Sequence, residues 1–109
     1  MASPYKIRAK IWLYQGKAAW HFVTLPKKQA EHIKRHFGWL RSARKGWGSI
    51  RVEATVGRTS WETSIFPEKE TGSYVLPLKE KVRVSEGLRA GKTITLLLRV
   101  REKGPDQKI

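Results

Sequence analysis

Polar and apolar residues alternate along several segments of this chain. In residues 5–13, which read YKIRAKIWL, every second residue is apolar. Because successive side chains of a strand point to opposite faces, this pattern predicts a half-buried strand. The same alternation predicts strands over residues 50–56, 59–66 and 94–100, and shorter apolar segments predict two more, over 19–25 and 73–76. Gly16 and Gly57 lie between consecutive strands, which is typical of hairpin turns.

Two further segments have the spacing of helices, and each follows a proline. After Pro26, apolar residues at positions 30, 33 and 37 form one stripe, which predicts a helix over about residues 27–37 with Gly38 as its C-cap. After Pro77, the segment LKEKVRVSEGL predicts a short helix over about residues 79–86. The chain is therefore expected to be mainly β, with one real helix and one short one.

The two prolines belong to a short internal repeat. Residues 22–28 (FVTLPKK) are similar to residues 74–79 (YVLPLK), and each is followed by a predicted helix, a glycine and another strand. Two such halves predict a small closed barrel or pseudo-barrel of about six strands that one chain completes. At 109 residues we expect a single domain, 1–109, with the barrel core over 5–101 and a flexible tail over 102–109.

Three segments carry a resemblance to a known family: GWGSIRVEATVGRTSWETSIFP at 46–67, GSYVLPLKEKVR at 72–83 and EGLRAG at 86–91. With WHFVTLP at 20–26, they make residues 5–101 similar to the bacterial domain of unknown function 1905 family. The resemblance implies a small β-barrel related to the double-split barrels of the AbrB and MazE type, which usually have Gly-Asp where this chain has Gly91-Lys92. AbrB-like proteins bind DNA as dimers, whereas the family that this chain resembles has, by its name, no established activity.

The amino-acid composition excludes several kinds of site and segment. The chain has no cysteine, which excludes disulfides, thiolate metal sites and cysteine nucleophiles. Its first residues, MASPYKIRAK, have charges where a signal peptide needs an apolar segment, and no apolar run approaches the length of a membrane span. We therefore expect a cytoplasmic protein without a membrane segment, a metal or a cofactor, present as a monomer or a weak homodimer.

The charge of the chain is distributed unevenly. There are 23 Lys and Arg residues against 9 Asp and Glu, a formal net charge of +14. Residues 27–51 hold eight basic residues and one acidic residue, whereas residues 52–91 hold six of each. A basic region beside a neutral one favours an anionic partner such as DNA or RNA.

Basic and aromatic residues are interleaved in this region, and cations bind phosphates while aromatic rings stack on bases. The predicted DNA or RNA contacts are Lys27, Lys28, Lys34, Arg35, Arg41, Arg44, Lys45, Trp47 and Arg51. Trp47, between two glycines, has two interpretations that stay open: it folds over a barrel end, or it is exposed beside the basic residues. For the whole set, the alternative is a solvated basic face with tryptophans in the core.

A second basic and aromatic face is expected on the first strand. Lys6, Arg8 and Lys10 alternate onto the face that carries Trp12. The last strand is expected to bring Arg99 and Arg101 beside them. This face extends the same chemistry beyond residues 27–51.

Candidate catalytic and metal-binding groups are few. His32 and His36 have the spacing of two metal ligands, but the Glu of an HExxH motif and a third ligand are missing. Glu53 and Glu62 are expected to face each other across the hairpin, where pairing with Arg51 is the simpler interpretation. We therefore favour a non-enzymatic module that binds nucleic acid. A barrel that binds a small anionic ligand at its end and an enzyme of unknown reaction are the alternatives.

Overall fold

Six strands and two helices make up the fold in a computed structural model, which describes residues 4–16, 19–43 and 48–101, the side chains of 38–43 excepted. The strands are β1 (Tyr5–Leu13), β2 (His21–Thr24), β3 (Ile50–Val56), β4 (Thr59–Glu68), β5 (Ser73–Pro77) and β6 (Thr93–Val100). The helices are α1 (Lys27–Ala43) and α2 (Glu80–Glu86). Within the described ranges, neither helix has the length and apolar content needed to cross a membrane.

The strands form one closed barrel in the order β1-β2-β5-β4-β3-β6. Closure depends on β1, which pairs antiparallel with β2 along one edge and with β6 along the other. Since α1 connects β2 to β3 and α2 connects β5 to β6, the two halves of the internal repeat contribute to one ring. The prediction of a mainly β, closed barrel of six strands with two helices is confirmed.

The interior of the barrel is filled by the apolar residues of the alternating pattern. Along β3 and β6 every second residue is buried. The largest fully buried side chains include Ile7, Ile11, Ile50, Ile65 and Leu98. Burial of one such side chain contributes about 1.5–3 kcal/mol to stability. The core therefore fixes the strand register, and the register decides which outward-facing residues become neighbours.

The β3–β4 hairpin has the register that its turn predicts. Gly57 adopts the left-handed backbone conformation, with φ 59°, that such a tight turn requires. Val56 then pairs with Thr59, and Glu53 lies directly opposite Glu62. The expected juxtaposition of the two glutamates is therefore confirmed.

β4 ends later than the sequence predicts. The predicted strand stops before Pro67, since proline lacks the N–H that a strand ladder needs, whereas β4 runs to Glu68. Its pairing with β3 ends at Ile65, and from Phe66 onward it pairs with β5. Pro67 therefore lies beyond the end of β3, where its missing N–H breaks no bond to that strand.

α1 begins where the sequence predicts and is longer than predicted. Ile33 is buried and Phe37 packs against the core, as the apolar stripe requires. The prediction that Gly38 ends the helix is wrong, since the backbone stays helical through residues 39–43. A glycine inside a helix costs only about 1 kcal/mol relative to alanine, and a good helix former such as Leu40 follows it.

α2 packs against the turn of the β3–β4 hairpin. Its Val82 is buried, and Gly87 caps the helix in the left-handed conformation, with φ 64°. The Glu86 carboxylate accepts hydrogen bonds from the Thr59 hydroxyl (2.6 Å) and from the backbone N–H of Arg58 (3.2 Å). These bonds fix the end of α2 against the hairpin and so position the whole short helix.

Candidate functional site

The residues predicted to contact nucleic acid separate into two places. Four of them lie on α1 with exposed side chains: Lys27, Lys28, Lys34 and Arg35. A fifth, Arg51, lies at an outward position of β3. The remaining four belong to the part of the chain whose side chains are not described: Arg41, Arg44, Lys45 and Trp47. Their role, including the two interpretations of Trp47, stays a prediction.

Three of the α1 cations line a groove between α1 and the start of β1, which we call the α1 groove. It has a volume of about 700 Å³ and is lined by Tyr5, Lys27, Lys28, Gln29, Glu31, His32 and Arg35. The Tyr5 hydroxyl lies 2.6 Å from Nδ1 of His32, and burial raises the pKa of the Tyr5 hydroxyl. The groove is cationic on balance, although the Glu31 carboxylate lies among its cations.

The rings of His32 and His36 contact each other, and each ring also has a hydrogen-bonding contact to a neighbouring group. Their rings stack with centroids 4.0 Å apart. Nδ1 of His36 donates to the backbone carbonyl of His32 at 3.1 Å, while Nδ1 of His32 contacts the Tyr5 hydroxyl. Over the described residues, no group of three His, Asp or Glu side chains is arranged to hold a metal ion.

A second pocket, which we call the α2 pocket, opens where the chain leaves β5 and begins α2. Its volume is about 510 Å³, and its lining residues are Ala19, Trp20, His21, Arg51, Thr63, Ser64, Phe66, Pro77, Leu78, Lys79, Glu80 and Arg83. Two of the lining residues, Arg51 of β3 and Ser64 of β4, are cross-strand partners. Strand alternation points both side chains outward from the barrel, toward the pocket. The two flanking segments, residues 19–21 and 77–83, approach the pocket from β2 and α2.

Cations outnumber anions in the lining of the α2 pocket: Arg51, Lys79 and Arg83 against Glu80. Nε of Arg83 donates to the backbone carbonyl of Leu78 at 3.1 Å, which orients the guanidinium and leaves its terminal nitrogens for other acceptors. Nδ1 of His21 donates to the carbonyl of Ala19 at 3.0 Å, which leaves Nε2 as the ring nitrogen that takes no part in that bond.

The rest of the α2 pocket is largely apolar. Trp20, Phe66, Pro77 and Leu78 contribute to its walls, and the rings of Trp20 and Phe66 belong to the exposed large hydrophobic side chains of the protein. Apolar walls with a few convergent polar groups are typical of small-molecule sites, and the volume lies within their usual range. The arrangement suits a molecule that has an apolar body and a negatively charged group.

The glutamates of the β3–β4 hairpin are bound by arginines. Glu53 binds Arg99 at 3.3 Å, and Glu62 binds Arg51 at 3.6 Å and also Arg101. The interpretation of cross-strand pairing is thus confirmed. Arg99 of β6, and Arg101 just after it, bind carboxylates of the neighbouring β3–β4 hairpin. Exposed ion pairs of this kind contribute at most about 1 kcal/mol, so Arg51 can exchange Glu62 for a ligand anion at low cost.

Sequence reasoning singled out only one of the charged residues that line the α2 pocket. Arg51 was predicted from its basic neighbourhood, whereas His21, Lys79 and Arg83 come from two distant segments. The internal repeat carried one signal, since a lysine lies within two residues after each of its Leu-Pro pairs, at Lys27 and Lys79. Nothing in the local sequence indicates that both segments reach Arg51, because that depends on how the barrel closes.

Comparison with known families gives one result. The family described as Domain of unknown function (DUF1905) matches residues 8–98, a range that includes at least part of every strand and all of both helices. The match confirms the resemblance seen in the sequence and does not bear on a relation to AbrB and MazE. No curated protein matches the chain.

Proposed function

The chain belongs to the domain of unknown function 1905 family, whose name assigns no activity, and we propose that it is a non-enzymatic module that binds a small organic anion in the α2 pocket. The observation that carries this proposal is the convergence of Arg51, Lys79 and Arg83 on one pocket of about 510 Å³. Among the described residues that line it, a single carboxylate is present, that of Glu80.

The geometry of the cations supports a ligand with a compact anionic head. Arg83 is oriented by its bond to the Leu78 carbonyl, and a guanidinium presents paired N–H donors that match a carboxylate or a phosphate. Arg51 comes from a different element, β3, where its guanidinium forms an exposed ion pair with Glu62 that a ligand anion can replace at low cost. Two arginines from different elements therefore define the position of the negative group.

The aromatic walls support a flat apolar body on the same ligand. Trp20 and Phe66 line the pocket together with Pro77 and Leu78. Removing apolar surface from water contributes roughly 25 cal/mol per Å², so the walls add affinity that a simple inorganic anion does not gain. We therefore propose an aryl or similarly flat carboxylate, sulfonate or phosphate as the ligand class.

Fluorescence titration with anilinonaphthalene sulfonate tests the proposal, because this molecule combines aromatic rings with one sulfonate. Phenylnaphthylamine, which lacks the sulfonate, is the matched neutral probe. We expect saturable binding of the sulfonate at one site, with about tenfold weaker affinity in Arg51→Gln and in Arg83→Gln, since a hydrogen bond to a charged group is worth about 1.5–3 kcal/mol.

Arg58→Gln is the control, because it removes the same charge from the exposed turn of the β3–β4 hairpin. It should leave the affinity for the sulfonate unchanged, and none of the three substitutions should affect the neutral probe. Equal affinities in Arg51→Gln, Arg83→Gln and Arg58→Gln would show that the sulfonate does not bind at the pocket cations, and the proposal would fail.

The nucleic-acid interface expected from residues 27–51 is the second candidate. What favours it is α1: the first turn contains no acidic residue, although the positive end of a helix dipole prefers acids there, and Lys27, Lys28 and Arg35 line one groove. Arg51 does not line that groove and lines the α2 pocket instead. The proposed contact is therefore limited to α1 and the undescribed residues that follow it.

Anisotropy titration of labelled duplex DNA tests this candidate. Lys27→Gln, Lys28→Gln and Arg35→Gln combined remove three phosphate contacts, so the slope of log affinity against log salt should become less steep by about 2.7. A combined control variant, with Lys69, Lys81 and Arg58 changed to Gln, removes the same charge from exposed positions elsewhere. Identical slopes in the two variants would exclude the α1 groove as the duplex-binding surface.

A further inference from the structure

The outer face of β1 carries a row of cations followed by an aromatic cluster. Lys6, Arg8 and Lys10 are exposed at alternate positions, and half-buried Trp12 takes the next outward position. Side chains two residues apart on a strand are separated by about 6.8 Å, so the row from Lys6 to Trp12 is about 20 Å long. We call this row, with the aromatic residues around Trp12, the β1–β2 face.

Four aromatic rings meet where β1 pairs with β2. Phe22 lies opposite Trp12 with ring centroids 5.1 Å apart. Trp20 stacks on Phe22 at 5.9 Å with an interplanar angle of 15°, and Tyr14 meets the same ring edge-on at 6.4 Å. Nε1 of Trp12 donates to the Thr24 hydroxyl at 2.9 Å, which anchors the cluster. The outer rings of Trp20 and Tyr14 remain 51% and 52% exposed.

The cations of this face form no ion pair with a carboxylate in the described part of the chain. Their partners across the β1–β6 pairing are uncharged: Leu97, Thr95 and Thr93. On the β3 side of β6 the situation is the reverse, since arginines there are held by Glu53 and Glu62. Among the described residues, one group of cations is therefore paired with carboxylates, and another group, beside exposed aromatic rings, is not.

We propose that the β1–β2 face binds single-stranded nucleic acid, with phosphates along the cationic row and bases stacked on the exposed rings. Sequence-tolerant proteins that bind single strands combine a positively charged track with aromatic side chains in this way. The phosphates of a duplex can bind the cations, but its bases stay stacked on one another and cannot stack on the protein's aromatic rings. The exposed rings therefore favour a single strand. An acidic peptide likewise satisfies the cations and offers no flat groups to the rings.

This inference goes beyond the small-anion proposal and does not rest on it. The cationic row lies on β1, whereas the cations of the α2 pocket lie on β3 (Arg51), just before α2 (Lys79) and in the last turn of α2 (Arg83). Trp20 borders both sites, since it lines the pocket and stacks on Phe22. Substitutions of the cations therefore separate the two sites, and substitution of Trp20 alone does not.

The test is an anisotropy titration of the full chain with labelled oligothymidylate of about 15 nucleotides, a length within the usual site sizes, over a series of salt concentrations. Lys6, Arg8 and Lys10 changed together to Gln should make the log–log salt slope less steep by about 2, the contribution of three phosphate contacts on a single strand. The matched control, with Lys69, Lys81 and Arg58 changed to Gln, removes the same charge elsewhere and should keep the wild-type slope.

Two further variants address stacking. Tyr14→Leu and Trp20→Leu should each weaken oligothymidylate binding about tenfold, because stacking of one base on an aromatic ring is typically worth roughly five- to 150-fold in affinity. Both side chains are half exposed, so the fold should survive, which circular dichroism checks. Arg83→Gln should leave oligothymidylate binding unchanged, even though it weakens binding of the sulfonate probe.

Three results would overturn the inference. Equal effects of the β1 triple variant and its control would show that only net charge matters. A stronger effect of Arg83→Gln than of the β1 variant would place the strand in the α2 pocket. Tighter binding of duplex DNA or of polyglutamate than of oligothymidylate would show that the rings do not stack on bases.

Discussion

The contact between Glu86 and the β3–β4 hairpin gives a prediction whose size follows from the structure. Glu86→Ala removes a carboxylate oxygen that accepts hydrogen bonds from the Thr59 hydroxyl at 2.6 Å and from the backbone N–H of Arg58 at 3.2 Å. Both donors lie on the hairpin, whereas Glu86 is the last residue of α2. The substitution therefore releases the end of the helix from the barrel.

The expected loss is about 2 kcal/mol. Hydrogen bonds to a charged group contribute about 1.5–3 kcal/mol each, but Arg58 is exposed, so its bond competes with water and contributes less. Thr59 is half-buried, and its hydroxyl keeps a second neighbour, the hydroxyl of Ser85 at 3.2 Å, which limits the loss further. Glu86→Gln keeps one acceptor oxygen without the charge and should lose about 1 kcal/mol.

Urea denaturation measures both variants. For a chain of this size we expect the midpoint of Glu86→Ala to fall by about 1 M, with an unchanged dependence of the unfolding free energy on urea. Glu70→Ala, which removes an exposed carboxylate from the β4–β5 turn, is the control and should stay within about 0.5 kcal/mol of the wild type. If Glu86→Ala is as stable as this control, the hydrogen bonds do not hold α2 and the reasoning is wrong.

Three more predictions concern stability. A Cβ at Gly57 would clash with Oε1 of Glu86, so Gly57→Ala should destabilise the wild type more than it destabilises Glu86→Ala; additive losses in a double-mutant cycle would contradict this. Ser73→Ala removes a buried hydrogen bond to the Leu25 carbonyl (2.7 Å) and should cost about 1–3 kcal/mol in urea denaturation, and a loss below about 0.5 kcal/mol would count against it. Because burial raises the pKa of Tyr5 above 10.0, the folded state keeps the proton that the unfolded state releases first, so this contribution to stability is lost as pH rises through the folded pKa. Tyr5→Phe should therefore lose less stability than the wild type between about pH 9 and 12, and equal pH profiles would refute the assignment.

The strands could be predicted because their signals are local. Alternation along β1 decides which residues face the core, and a two-residue turn at Gly57 decides the register that places Glu53 opposite Glu62. The end of α1 could not be predicted in the same way. Glycine often ends a helix, which is why Gly38 was expected to do so. A glycine inside a helix costs only about 1 kcal/mol relative to alanine, and neighbouring residues can outweigh that cost.

The candidate site could be predicted only in part, because it depends on contacts between distant segments. Arg51 was identified from the local density of basic residues, and that signal says nothing about its neighbours. His21 and Arg83 reach the same pocket because β5 pairs with both β2 and β4. Local periodicity does not contain these pairings, so an arginine predicted for a nucleic-acid surface was found to line the α2 pocket.

The pairing of β1 with β6 determines when this protein can finish folding. Tyr5 lies opposite Leu98, so the barrel closes only after nearly the whole described chain has left the ribosome. Until then β1 and β3 each expose an edge of unpaired backbone groups, and such edges recruit other strands. Contacts of this sequence separation also slow folding, to the millisecond-to-second range usual for β proteins. A nascent chain that stalls before Thr93 therefore has two open edges, and pairing with another unfinished chain competes with closure.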